Sequence, residues 1–337
     1  MSYYDSVVQK LSEAEQGEFY ISREQLGLLY ADTATADAVL SFDESFAPLY
    51  EKLVYSKTNS NRGRVRYIDF NQGVDARLMT EAKMNKLSEI NIRPLRIAFD
   101  HWGIDPQKPK SRPMREIYSD AVRLAVKYGI RDLSNYLLYN SDDDTPDELY
   151  WRLQLNINLC EELGVSIYSF PMKYHPIDNP AYFDNRNFTG KAWNRKFIRA
   201  VQAVLNSTHG KIGRGKSFFE AAFGETLEHF YEILVMPEAF IIERHKYDVD
   251  AYTAYLKGGG TRIIKAEDIA RCGNMTAEWR AKYRGLSVAQ KKCAEDIIFQ
   301  NIFTDETCAT DDVDVNEVLH FYKIKRYEEI PEIIPND

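Results

Sequence analysis

Apolar positions between residues 65 and 176 gather in four short runs, VRYIDF (65–70), LRIAFD (95–100), LSNYLLYN (133–140) and VSIYSF (165–170). Their spacing is about thirty residues, the length of one strand–helix–strand unit. A polar or glycine-containing turn follows each run, and then a stretch with helical spacing, as in NQGVDARLMTEAKMNKLSEI. The pattern predicts strands alternating with helices, hence an α/β protein whose parallel strands are joined by short crossovers. Two helices are marked at both ends. Thr145, Pro146 and Glu148 make a capping box ahead of Leu149, Leu153, Ile157, Cys160 and Leu163, and Gly164 closes that helix. Residues 114–128 carry Ile117, Ala121, Leu124 and Ala125 as an inward stripe and end at Gly129.

The flanks read differently. Residues 1–35 are polar and partly helical, with no nameable chemistry, and residues 36–54 predict a strand from Ala38 to Phe42 running into a helix near Glu44. KTNSNRGR (57–64) is a loop by composition. After Pro176 comes a long, aromatic-rich polar connection. From Arg195 the patterns are helical, through FIRAVQAVL, SFFEAAFGETLEHFYEIL and TAEWRAKYRGLSVAQKKCAEDIIFQNIF. GGG (258–260) is a break, 305–319 reads as an acidic loop or linker, and the last residues add a strand before an acidic tail. The division is therefore an unassigned segment at 1–35, a (β/α) domain at 36–180 and a mainly helical extension at 181–337.

Composition narrows the partners. A net charge of −8 argues against binding nucleic acid through the overall field, although a local basic patch is compatible with it. No apolar run approaches the roughly eighteen residues a membrane helix needs. MSYYDSVVQKLSEAEQ has neither a basic leader nor an apolar core, so it does not read as a signal peptide. Cys160, Cys272, Cys293 and Cys308 are too few and too scattered for a disulfide scaffold. These features predict a cytoplasmic protein with no membrane association.

Ligands of parallel sheets sit at the carboxyl ends of the strands, which singles out Asn71, Gln72, Asp75, Asp100, His101, Asn140 and Lys173. Asp100 in that position either accepts hydrogen bonds from a ribose diol or caps the next segment and pairs with an arginine. Asp75 and Arg77, at a loop-to-helix junction, either form part of a site or pair with each other. The run Asp142, Asp143 and Asp144 precedes a capped helix and complements its dipole more readily than it holds a cation. His175 lacks a second His or Cys at metal-ligand spacing, so no self-contained metal site is predicted. One string, Gly210 to Ser217, fits G-x-x-x-x-G-K-[ST], in which Gly210, Gly215, Lys216 and Ser217 would cradle phosphates. The segment before it has helical spacing where that motif needs a strand. A helix–helix turn, or a basic loop touching phosphate or nucleic acid through Lys211, Arg214 and Lys216, is the competing reading.

YIDFNQGVDARLMTEAKMNKLSEINIRPLRIAFD, AVRLAVKYGIRDLSNYLLYNSDDDTPDELYWRL and VSIYSFPMKYHPI together resemble the later βα units of radical S-adenosylmethionine proteins. The resemblance covers residues 37–180 and continues into NRKFIRAVQAVLNSTHGKIGRGKSFFE. It implies a partial parallel (β/α) barrel with a helical C-terminal extension, binding S-adenosylmethionine and a [4Fe–4S] cluster at the carboxyl face. By the same resemblance Asp100 would contact the ribose, Asn140 would end the strand whose edge faces the adenine, and Ser169 to Met172 would offer backbone groups to that base. Gln72 and Asp75 would approach cofactor or substrate. The family's CxxxCxxC motif, whose three thiolates leave one iron open for S-adenosylmethionine, is absent from the sequence. The resemblance then implies a truncated or split enzyme whose cluster comes from a partner chain or another segment. A non-catalytic module that binds a nucleotide-like ligand or a partner stands as the alternative.

Overall fold

The computed structural model describes residues 67–70, 73–104, 110–176, 179–182, 187–208, 215–243 and 266–323. The strand and helix expected between 38 and 54, the loop at 57–64, the GGG break and the terminal strand fall outside them. The chain forms two compact units. The first, a sheet unit, contains the chain up to Leu138 together with Trp151–Met172 and Gly213–Gly215. The second, a helical unit, contains Tyr139–Tyr150, Lys173–Ile212 and Lys216–Asp337.

The sheet is parallel and four-stranded, in sequence order: β1 (Val74–Asp75), β2 (Leu95–Ala98), β3 (Asp132–Tyr139) and β4 (Ser166–Lys173). Three helices make the crossovers, α1 (Glu81–Ser88), α2 (Met114–Lys127) and α3 (Pro146–Leu163). An α/β class with a parallel sheet is what the alternating pattern predicts. The first run behaves differently from the others. Of its described residues, only Ile68 pairs, in a single bridge to Ile92, and the strand lies further on, at Val74–Asp75, within the segment read as a turn. Gly73 sits between the two pairings: with φ +77 it donates its N–H back to the Phe70 carbonyl, and the chain goes on in the same direction, parallel to β2.

Period-two alternation sorts the strands' faces. Leu95, Ile97 and Phe99, then Leu133, Asn135 and Leu137, then Ile167 and Ser169 are buried. They face the crossover helices: Phe99 stacks on Tyr118 of α2 at 4.2 Å, and Asn156 of α3 donates to Ser169 Oγ at 2.8 Å. The opposite face carries Arg96, Ser134, Tyr136 and Phe170. There Arg96 grips Asp69 with two hydrogen bonds of 2.8 Å and lies over the rings of Tyr136 and Phe170. The buried stripe of α2 is Met114, Tyr118, Ala121, Val122 and Ala125, so Ile117 and Leu124 sit at its margin instead of its centre. Tyr118 earns the central place because its hydroxyl has a partner in Asn135, at 2.9 Å.

α3 begins as expected, with Thr145 Oγ1 accepting from the Glu148 N–H at 3.2 Å, and ends at Gly164 with φ +61. Thr145→Ala removes that cap, and thermal or chemical denaturation is expected to show a loss of about 1 kcal/mol, with Thr145→Ser close to wild type.

The helical unit contains α4 (Arg195–Ser207), α5 (Lys216–Phe223), α6 (Leu227–Val235), α7 (Glu238–Glu243), α8 (Ala266–Gly285), α9 (Val288–Ile298) and α10 (Val313–His320). Tyr150, at the start of α3, packs between Phe219 and Phe230 and donates to the Gly224 carbonyl. The stretch 305–319 is not simply a linker. Asp312 caps α10 by accepting from the Val315 N–H, and Val315, Val318 and Leu319 are buried at helical spacing. The acidic composition of that stretch belongs to its exposed positions and its cap. No helix among the described residues is long and apolar enough to cross a membrane.

Candidate functional site

Within the sheet unit, the carboxyl edge of β1 and β2 concentrates charge. Asp100 lies two residues past β2 and is half-buried. Burial pushes its carboxyl above the usual range for an aspartate. Arg152 pulls it back most strongly, followed by His101 and Arg77, while Asp75 pushes it further up. Four charged or titratable neighbours at this edge, Asp75, Arg77, His101 and Arg152, therefore act on Asp100.

Asp75 is committed to Arg77. Its carboxylate accepts the Arg77 backbone N–H at 2.9 Å and takes the guanidinium in a fork, Nε at 2.9 and 3.0 Å and Nη2 at 2.8 Å. The pair stays partly exposed, so it forms one wall of the edge as a neutral fork instead of presenting a free carboxylate. Among the described residues no such fork engages the Asp100 side chain, and its ionised carboxylate is an acceptor suited to a diol.

Arg152 is the residue that sequence reasoning misses. It projects from α3 with no exposure, and its guanidinium donates to the carbonyls of Phe99 at 3.2 Å, Asp100 at 3.0 Å and Leu138 at 2.9 Å. An arginine flanked by Leu149 and Leu153 on an otherwise apolar helix face was the available signal. Nearby, Trp102 follows His101, lies 5.7 Å from Trp151 and receives the Arg115 guanidinium over its ring at 5.5 Å.

The remaining expected residues are placed as follows. Asn71 and Gln72 lie outside the described residues. Ser169 turns its hydroxyl to Asn156 on the helix side, and Met172 is 47% exposed. Asn140 belongs to the helical unit. Its side-chain amide donates to the Phe188 carbonyl at 3.1 Å and accepts from the Gly190 N–H at 3.0 Å, in full burial. Its own N–H goes to Asp144 at 3.0 Å. That use makes Asn140 a splice between two backbone segments, and its φ of +75 is a conformation asparagine tolerates better than most residues. Of the three aspartates, Asp144 is buried in this splice while Asp142 and Asp143 are exposed ahead of α3. Burial lowers the pKa of Lys173.

The phosphate-loop string lies between two helices, α4 before it and α5 after it, where the motif requires a strand first. Gly210, Lys211 and Arg214 fall outside the described residues. Gly215 has φ +91, and Lys216 opens α5 with its ammonium 3.7 Å from Glu220, while Ser217 is the next residue of the same helix. The AFIIE segment, the nearest candidate for a second metal-binding motif, is α7 and not a strand.

A cleft of about 430 Å³ opens at the other end of the strands, lined by Tyr67, Arg93, Arg131, Asp132 and Tyr168. Its arginines are engaged, Arg93 with Asp132 at 2.7 Å and Arg131 with the carbonyls of Leu163 and Gly164. Among the described residues, no group of three His, Cys, Asp or Glu side chains is arranged to hold a metal.

The sheet and its charged carboxyl edge define the class, an α/β protein with a parallel sheet and a strand-end carboxylate backed by a buried guanidinium. Beyond that class, no protein-family model matches the chain and no curated protein matches it.

Proposed function

We propose that the sheet unit is part of a (β/α) barrel of the radical S-adenosylmethionine kind and binds an adenosine-bearing ligand, S-adenosylmethionine, at its carboxyl edge. Asp100 is the observation that carries this reading: a half-buried carboxylate past the end of a parallel strand, where a ribose diol can donate to both oxygens. Bound S-adenosylmethionine would supply a cleavable bond between its 5′-carbon and its sulfonium.

An iron–sulfur cluster does not fit this chain's own thiols. The sequence has no three-cysteine spacing. Cys160 is buried, its sulfur accepts the Ile167 N–H, and burial pushes its thiol up, away from the thiolate a cluster needs. Cys308 is likewise buried in the helical unit with its thiol pushed up. Radical chemistry therefore requires a cluster from a partner chain or another segment. The same thiols favour a second reading, in which the unit binds the ligand without turning it over.

The diol is the discriminating feature. Wild-type protein is expected to bind adenosine about a hundredfold more tightly than 2′,3′-dideoxyadenosine, since two hydrogen bonds to a charged acceptor are lost. Asp100→Ala should bind both equally and weakly. Equal affinities in the wild type would sink the reading.

The raised carboxyl also sets a pH dependence. Folded Asp100 binds a proton more readily than the unfolded chain does, so its charge costs stability increasingly as pH rises from the unfolded value, near 4, through the folded one. Asp100→Asn is expected to be more stable than wild type at pH 7 and equal to it at pH 3, while losing the preference for the diol. Denaturation at the two pH values checks the first part and titration the second.

A further inference from the structure

We infer that Arg152 is a positioning residue for the carboxyl edge: its guanidinium joins the ends of β2 and β3 behind Asp100 and supplies the charge against which that carboxylate is held. The inference rests on Asp100 being the diol acceptor.

Taking a guanidinium fully out of water is costly, and it persists only where geometry and hydrogen bonding are good. Arg152 meets those conditions through main-chain carbonyls at the ends of two strands. Nη1 reaches Phe99 O and Asp100 O, and Nη2 reaches Leu138 O. Two nitrogens of one rigid plane thus address two neighbouring strands, which fixes the separation of their ends and the backbone from which the Asp100 side chain departs. A lysine ammonium is a single point on a flexible stem and cannot hold both strands in one plane.

The charge has a second consequence. The groups acting on Asp100 come from the turn after β1, Asp75 and Arg77, from its own segment, His101, and from α3, Arg152. Arg77 is already forked to Asp75 and partly exposed, so solvent weakens its reach. Arg152 is buried, where the same charge acts through a lower dielectric. Without it, desolvation of Asp100 is opposed only by weaker neighbours. The carboxyl then holds its proton to higher pH and stops accepting from both hydroxyls of a diol.

The test is adenosine binding by the full chain from about pH 4, the unfolded value, up to pH 8.5, with wild type, Arg152→Lys, Arg152→Gln and Asp100→Ala. In wild type, affinity rises with pH through the Asp100 ionisation. Arg152→Gln is expected to move that midpoint up, so that binding weakens on its acid side and changes little well above it. Arg152→Lys keeps the charge, so its midpoint should stay near wild type while affinity falls at every pH. Uniform weakening in Arg152→Gln with an unmoved midpoint would overturn the electrostatic role, because a merely structural residue acts that way. Arg152→Lys indistinguishable from wild type would overturn the bracing role, and it decides the matter if Arg152→Gln does not fold. Unchanged binding in Asp100→Ala would instead remove the reading of Asp100 itself, and this inference with it.

Discussion

Alanine in place of Gly190 is expected to destabilise the helical unit by about 3 kcal/mol, the upper range for overpacking, and to lower the denaturation midpoint accordingly. A Cβ at this position would lie 2.3 Å from Ser141 O, 2.8 Å from Ser141 C and 2.9 Å from Asn140 O. All three are backbone atoms, so no flexible side chain can swing aside. The segments are also locked together. Asn140 bonds to both Phe188 and Gly190, the Trp193 N–H donates to the Gly190 carbonyl at 2.9 Å, and the Trp193 indole donates to Asp144 O at 3.1 Å. Relief of the clash pulls the two segments apart, which breaks the Asn140 splice and loosens Trp193 from Tyr139, whose ring centre lies 5.4 Å away. Gly285 is the control: a Cβ there meets nothing within 4 Å, so Gly285→Ala should be neutral or slightly stabilising. Equal midpoints for the two variants would contradict the described approach of the backbones.

Lys196 gives the second large effect, and its sign depends on pH. The side chain is buried at 1% exposure, and its ammonium donates to the Met236 carbonyl at the end of α6, at 2.6 Å. Burial lowers its pKa to about 7, with Glu238 opposing that shift and Arg199 adding to it. The unfolded lysine, near 10.4, stays protonated while the folded one is neutral between these values. The unfolded chain therefore binds more protons across that window, and stability rises with pH through it. Below about pH 7 the full cost of the buried charge is present.

Lys196→Met removes both the charge and the bond to Met236. At pH 6 the variant should be the more stable, because the buried charge outweighs one hydrogen bond. At pH 10 wild type should be the more stable, because its neutral amine still caps the helix. The difference between the two proteins is expected to change by about 4 kcal/mol across this range, roughly three pKa units at about 1.4 kcal/mol each. Parallel denaturation profiles from pH 6 to pH 10 would rule the mechanism out.

Local chemistry was the legible part of this chain. The α/β alternation, the capped start of α3 at Thr145, its end at Gly164 and the helices from Arg195 onward all follow from spacing and end residues that act within a few positions. Asp100 was also legible, because a carboxylate past an apolar run is a strand-end group wherever that strand finally lies. What stayed hidden depends on distant partners. Arg152 reaches back 53 residues to Phe99, and Asn140 reaches forward 50 to Gly190. Neither partner leaves a trace in local pattern, so Asn140 read as a strand-end polar group, and the apolar neighbours of Arg152 could hint at its burial but not at its targets. Lys196 drew no attention in the sequence, and tertiary packing buries it. The first apolar run misled for another reason: its described residues contribute one bridge, and Gly73 resets the chain so that the short pair Val74–Asp75 forms the strand. At 305–319 the acidic composition masked a three-residue apolar stripe that is enough to anchor a short helix.

Calorimetric titration of S-adenosylmethionine into the iron-free full chain, beside Asp100→Ala, tests the central claim most directly. One molecule bound per chain by the wild type, with binding strongly weakened in Asp100→Ala, is the predicted result. Binding that Asp100→Ala leaves intact, or a wild type that takes up no S-adenosylmethionine at all, would contradict it.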